Sequence, residues 1–138
     1  MVRFVQEPAR DIPVKDEVDI LVVGGGPSGI MAARAAAGKG LKVMLIESRG
    51  YVGGNLTIGL PILGFLGRKG NQVVEGLPQM LIDRLRAKGK ASEHKPCRNH
   101  VSLTIIDSEE VKDVAIGMLE EVGVKILFHI FCSDVIKE

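Results

Sequence analysis

One short stretch, Gly24-Gly25-Gly26-Pro27-Ser28-Gly29, constrains this chain more than any other. It satisfies G-x-G-x-x-G, a pattern that carries little weight alone. Here it directly follows an apolar run over residues 18–23 (VDILVV) and opens an alanine-rich segment over residues 28–39. A glycine turn between a strand and a helix is the context that gives the motif meaning. Gly24 permits the tight turn, Gly26 leaves room for a pyrophosphate to approach the backbone, and Gly29 lets the helix lie close to the strand. The helix that begins at Ser28, next to Pro27, offers free N–H groups and a partial positive charge to an anion. A second apolar strand follows over residues 42–46 (KVMLI), closed by Glu47, 18 residues after Gly29. An acid at that place can accept hydrogen bonds from ribose hydroxyls and opposes a 2′-phosphate. Strand, turn, helix and strand make a βαβ unit, and the right-handed crossover predicts two parallel strands side by side. The fold class expected is therefore α/β, a Rossmann-type parallel sheet with flanking helices.

The rest of the chain divides by composition. Residues 1–17 read as a polar lead-in with Pro8 and Pro13, and residues 18–138 as the domain proper. The chain is about 12% glycine (17 of 138) against a usual 7% or so, and much of the excess falls in residues 49–72, which read as a long loop with little regular structure. Residues 74–88 are a predicted helix, with Leu77, Leu81 and Leu85 at intervals of four. Residues 90–99 are polar and expected to be exposed, and residues 101–106 form a strand. Residues 107–121 are a helix opened by a capping box of Asp107 and Glu110. Gly123 stops that helix, residues 124–128 form a third buried strand, and residues 132–138 begin another. A strand left without a partner presents an open edge, so the chain is expected to be the first part of a larger fold.

Bulk composition removes several function classes. Eighteen Lys+Arg against 17 Asp+Glu give a net charge of +1, which argues against a large nucleic-acid footprint. No apolar run reaches the roughly 18 residues of a membrane span. The first residues carry Arg3, Glu7, Arg10 and Asp11 in place of a secretory apolar core. With only Cys97 and Cys132, a disulfide scaffold is not expected and a cytoplasmic, reducing setting is.

The span from Asp19 to Gly54 resembles the N-terminal signature of FAD-dependent oxidoreductases of the glutathione-reductase-like superfamily. In that pattern the ribose acid is followed shortly by paired glycines, and here Glu47 is followed, after five intervening residues, by Gly53-Gly54. The continuation Asn55-Leu56-Thr57 and Gly59 to Phe65 is similar to a broad FAD-dependent group distantly related to fumarate reductase flavoproteins. The resemblance implies FAD as cofactor, with Gly24, Gly26 and Gly29 at its pyrophosphate and Pro27 and Ser28 in the same turn. It implies Glu47 at the adenosine ribose, with Ser48 and Arg49 beside it. Gly53, Gly54 and Asn55 would run past the pyrophosphate towards the flavin, and Cys132, three before Val135, would meet the adenine through its backbone. Flavoproteins of this kind are several times longer, so an incomplete FAD-binding domain is expected, completed by a C-terminal region or a partner chain.

Other candidates carry less chemistry. Cys97, His100 and His94 lack the further ligands a metal site needs. His129 reads as a core histidine on a strand, the run 60–66 as a wall of the cofactor pocket, and Arg84, Arg86, Lys88 and Lys90 as a solvated helix face. No residue qualifies as a catalytic acid or base, and the substrate is not implied. Three functions remain: the FAD-binding portion of a flavin-dependent oxidoreductase; a non-catalytic ADP- or dinucleotide-binding module, or split subunit, completed by a partner; and, with less in its favour, an NAD-dependent enzyme in which Gly53-Gly54 is accidental.

Overall fold

The structure, a computed structural model, describes every residue except Met1, Glu7, Arg10 and Glu138. The elements in chain order are β1 (Ile20–Val23), α1 (Pro27–Ala37), β2 (Val43–Glu47), a 3-10 turn (Gly54–Thr57), β3 (Ile62–Leu63), α2 (Leu77–Ala87), β4 (Lys95–Cys97), β5 (Val101–Thr104), α3 (Ser108–Glu120) and β6 (Lys125–Phe128). They form two sheets. The first has the order β1-β2-β6 with every pair parallel, Ile20 opposite Val43 and Met44 opposite Lys125. The second is antiparallel, in the order β3-β5-β4.

The parallel sheet follows from the local sequence. Pro27, with its fixed φ and no N–H to leave unpaired, sits at the first turn of α1. The Ala-rich face of α1 buries Ile30, Ala33 and Ala37 against Val43 and Leu45 of the sheet, with Ala115, Leu119 and Val124 completing the cluster. Small residues on α1 let it lie close. Asp107 caps α3, its Oδ1 accepting from the amides of Glu109 and Glu110 at 3.0 and 3.2 Å. The reciprocal half of the expected capping box is missing, because the Glu110 carboxylate pairs with Lys88 instead. Ahead of the sheet, the Asp16 carboxylate joins Lys42 and Lys125, the residues that lead into β2 and open β6. Those two ammonium groups, Lys125 first, hold its pKa far below the usual carboxylate range.

Several expectations need correction. The first strand is not buried on both faces: α1 and α3 cover one side only, and Leu21 and Val23 on the other are 51% and 56% exposed. β6 is half-buried rather than buried, since it is the outer strand of its sheet. The loop over residues 49–72 holds the 3-10 turn and β3, and the polar segment 90–99 supplies β4. Short strands with few apolar residues gave no periodicity to read, and pairing across the chain decides them. α2 starts at Leu77 rather than 74, because Gly76 takes φ +68. His129 is not a core residue on a strand: it follows β6, exposed, at φ +58. Residues 132–137 form no strand, and Glu138 lies outside the described residues. The four basic residues around the end of α2 are each paired, Arg84 with Glu121, Arg86 with Glu93, Lys88 with Glu110 and Lys90 with Asp107, so they bridge elements rather than face solvent alone.

A second apolar cluster, of Phe65, Leu81, Ile82, Leu85, Val111, Val114 and Met118, lies where the antiparallel sheet and α2 meet α3. Met31 of α1 packs against both clusters and links them. Beside Phe65, the His94 ring stacks at 4.4 Å, with its nitrogens bonded to Thr104 Oγ1 and Gln79 Oε1.

Candidate functional site

The three glycines of the first turn differ in what the protein itself demands of them. Gly24 sits at φ +99, a conformation that disfavours any side chain. A Cβ on Gly29 would overlap the carbonyl oxygen of Gly24, so helix and turn touch there. Gly26 has neither constraint. Its φ of −72 suits any residue, and a Cβ built on it meets no protein atom within 4 Å. The space in front of Gly26 lies at the start of α1, which no side chain caps.

The second glycine pair folds back onto this turn. The Gly53 amide donates to Gly25 O at 2.8 Å. Gly54, at φ +52, packs so closely that its Cβ would lie 3.0 Å from the Gly26 Cα and 3.3 Å from the Pro27 ring. Gly25, between them, is also confined: a Cβ there would meet Val52 Cγ1 at 2.7 Å. The sequence marked Gly25 only as part of a glycine run.

Glu47 ends β2 with its carboxylate turned towards the turn. Oε2 accepts from the Gly25 amide at 2.6 Å, and Oε1 accepts from the Arg49 amide at 2.8 Å and the Ser48 hydroxyl at 3.1 Å. Burial alone would raise its pKa, but the amides of Arg49 and Gly25 outweigh it and hold the group below its ordinary value. The carboxylate therefore stays ionised at neutral pH. Two carboxylate oxygens offer about four lone-pair positions, so with three bonds made Glu47 keeps capacity for a hydroxyl donor.

Two hollows flank Glu47. One, of about 330 Å³, is lined by Glu47, Arg49, Tyr51, Gly54, Asn55 and Ile58, a volume in the range of ligand sites. The other, about 140 Å³, is bounded by Val23, Gly24, Ile46, Glu47, Ser48, Ile130, Phe131 and Cys132. The structure thus gathers the twelve residues singled out from sequence, Gly24, Gly26, Pro27, Ser28, Gly29, Glu47, Ser48, Arg49, Gly53, Gly54, Asn55 and Cys132, around one turn. Tyr51 and Ile58 were not anticipated. An aromatic residue four positions beyond Glu47 was the available signal. A separate apolar cavity of about 320 Å³ opens on the far side of Pro27 and Ser28, walled by Met31, Leu56, Ile62, Phe65, Pro78 and Leu81. Ile62 and Phe65 are the part of the run 60–66 that faces a cavity, while Leu60 and Leu63 are exposed. Cys97 and His100 lie away from the turn on the β4–β5 hairpin. Among the described residues no His, Cys, Asp and Glu cluster could hold a metal ion, and no helix is long and apolar enough to cross a membrane.

Comparison with known proteins bears directly on this site. A 28% identical relative, the thiamine thiazole synthase of Pyrobaculum aerophilum, aligns over 96% of this chain and 46% of its own length. The digeranylgeranylglycerophospholipid reductase of Methanosarcina mazei is 55% identical over 40 residues, 29% of this chain and 10% of that protein. The chain thus spans less than half of these curated relatives. Among solved structures, a geranylgeranyl bacteriochlorophyll reductase-like protein from Thermoplasma acidophilum shares the fold with a TM-score of 0.56 at 22% identity, over 88% of this chain and 32% of that one. The profile of one family, described as FAD dependent oxidoreductase, matches residues 19–138. Glycine turn, acidic strand end and returning glycine pair all fall inside that match, and the chain belongs to the FAD dependent oxidoreductase family.

Proposed function

We propose that residues 18–138 are the FAD-gripping domain of a flavin-dependent oxidoreductase of the glutathione-reductase-like superfamily, preceded by a lead-in over residues 1–17. The observation that carries this reading is the contrast between Gly29 and Gly26. Packing within the protein accounts for Gly29. Nothing in the protein accounts for Gly26, yet a side chain there would fill the space in front of an uncapped helix N-terminus. A phosphate needs that space and those amides.

The residues present fit the cofactor of the family. The amides at the start of α1 and the bare face of Gly26 would take the pyrophosphate. Glu47, ionised and with an acceptor position left, would bind the adenosine ribose. Ser48 and Arg49 fix the carboxylate, and Gly53 and Gly54 lay the backbone alongside with Asn55 at the groove's edge. Cys132 would contribute its backbone beside the adenine. Bound FAD supplies hydride or electron transfer, and the protein binds and orients it. A further region or a partner chain would complete the site and bring the substrate. A cytoplasmic setting belongs to the same proposal, supported by the free thiols of Cys97 and Cys132.

The test starts with the visible absorbance of the purified 138-residue chain and the mass of any released small molecule, followed by calorimetric titration with ADP. Released FAD, or saturable ADP binding abolished by Gly26→Val in a variant of unchanged melting temperature, is the expected result. ADP binding unaffected by Gly26→Val would defeat the assignment of the turn. Tight ADP binding with no affinity for FAD would instead favour a non-catalytic nucleotide module.

A further inference from the structure

Tyr51 is the chain's only tyrosine, and the chain has no tryptophan. It lines the groove that also holds Glu47, Gly54 and Asn55. Two cations hold its ring. The Arg49 guanidinium lies 5.9 Å from the ring centroid and donates to the phenol oxygen at 3.0 Å. The Lys112 ammonium, reaching across from α3, is 4.6 Å from the centroid. Lys112 also bonds both carboxylate oxygens of Glu109 at 2.7 Å, and the Glu109 side chain is 80% exposed. Both cations are within the roughly 6 Å at which a ring's face attracts positive charge. The outer wall of the groove is therefore a ring with Arg49 and Lys112 held against it, the Lys112 charge partly countered by the solvent-exposed Glu109 carboxylate, while Glu47 already accepts from two backbone amides. Such a groove discriminates by charge: a diphosphate gains from the wall, and an uncharged nucleoside gains only the ring's surface.

We propose that Tyr51 is a nucleotide-binding residue forming the outer wall of the groove, and that Lys112 is a positioning residue which, through that ring, favours a nucleoside diphosphate over the nucleoside. The proposal rests on the nucleotide reading of the glycine turn and adds residues from outside it. Nothing in the periodicity of α3 separated Lys112 from the other charged residues of that helix.

The single tyrosine makes the test direct, because intrinsic emission excited near 280 nm reports Tyr51 alone. ADP and adenosine are titrated into the 138-residue chain, with emission and calorimetry read in parallel. ADP is expected to change Tyr51 emission saturably, at the midpoint found by calorimetry. Lys112→Gln is expected to weaken ADP about tenfold, roughly 1.4 kcal/mol, and adenosine by less than about twofold, with most of the loss restored by Lys112→Arg. By calorimetry, Tyr51→Ala should weaken both ligands and Tyr51→Phe neither by more than about threefold. A role confined to folding would lower the melting temperature and leave the ADP-to-adenosine ratio unmoved. If ADP binds and Gly26→Val abolishes binding, while Tyr51 emission stays flat and Lys112→Gln treats both ligands alike, this proposal falls and the reading of the turn stands. If the native chain binds no ADP, both fall.

Discussion

The two sheets of this protein solve different problems. The parallel sheet is assembled from neighbours in sequence, β1, α1 and β2, and then spends its tightest positions on empty space: Gly26 faces an opening, and Gly24, Gly25, Gly53 and Gly54 crowd round it. The antiparallel sheet joins strands from residues 62 to 104 and spends its best positions on filling space. Phe65 and His94 stack there, and Leu81, Ile82 and Leu85 are buried against α3. One region leaves an opening at a helix start, and the other packs its apolar side chains together. Met31, packed into both apolar clusters, makes them one core, so the two roles share a single stability.

The sharpest way to break the comparison is at its two contrasting glycines. Gly29→Ala forces a Cβ into the Gly24 carbonyl and is expected to cost about 3 kcal/mol of stability, the upper end of typical overpacking. Gly26→Val should leave the melting temperature within about 2 °C while removing nucleotide binding. Equal melting temperatures for the two variants would show that the turn does not distinguish packing from ligand space.

Leu85→Ala removes a fully buried side chain from the second cluster and should cost about 2–4 kcal/mol. Because Met31 bridges the clusters, urea unfolding of that variant is expected to be a single transition, with the emission of Tyr51 and the far-UV signal falling together. Two separated transitions would show that the sheets unfold independently.

The smallest effect is in pH. Burial, and then the charge of Arg86, hold the His94 pKa below its ordinary value, with Glu93 and Asp83 opposing. His94 is thus neutral in the folded protein and protonates first in the unfolded chain. The unfolded state binds more protons, so stability is complete above about pH 6.5 and declines as pH falls through that value, by no more than ~1.4 kcal/mol per pH unit. His94→Gln should flatten the melting temperature between about pH 5.5 and 7 relative to the native chain. An unchanged slope would place the pH dependence elsewhere.

How much of this was legible in sequence differs between the regions for a physical reason. The βαβ unit carries its information locally: an apolar run, a glycine turn with Pro27 at the helix start, and small residues facing the sheet fix its topology within some thirty residues. The acid at Glu47 could be placed because it closes a strand whose end was already known, and the pair Gly53-Gly54 because the resemblance to the flavoprotein family marks it. Of the antiparallel sheet only β5 was visible, as the strand expected over residues 101–106. β3 is two residues long, and β4 consists of Lys95, Pro96 and Cys97. Both exist because β5 pairs with them, and that partnership has no local signature. His129 was misplaced for a related reason: an apolar run was extended by one residue past the point where the backbone turns.

Sequence alone determined the fold class and the position of the glycine turn with the acid that follows it, because these depend on neighbours within a turn or a strand. Only tertiary structure decided that Gly26 is free where Gly29 is not, that Glu47 is clamped by Gly25, and that Lys112 reaches Tyr51 from a helix some sixty residues away in sequence. Those depend on distances between segments that the chain brings together by burying apolar surface, and apolar burial is non-directional, so it leaves no mark on any one residue.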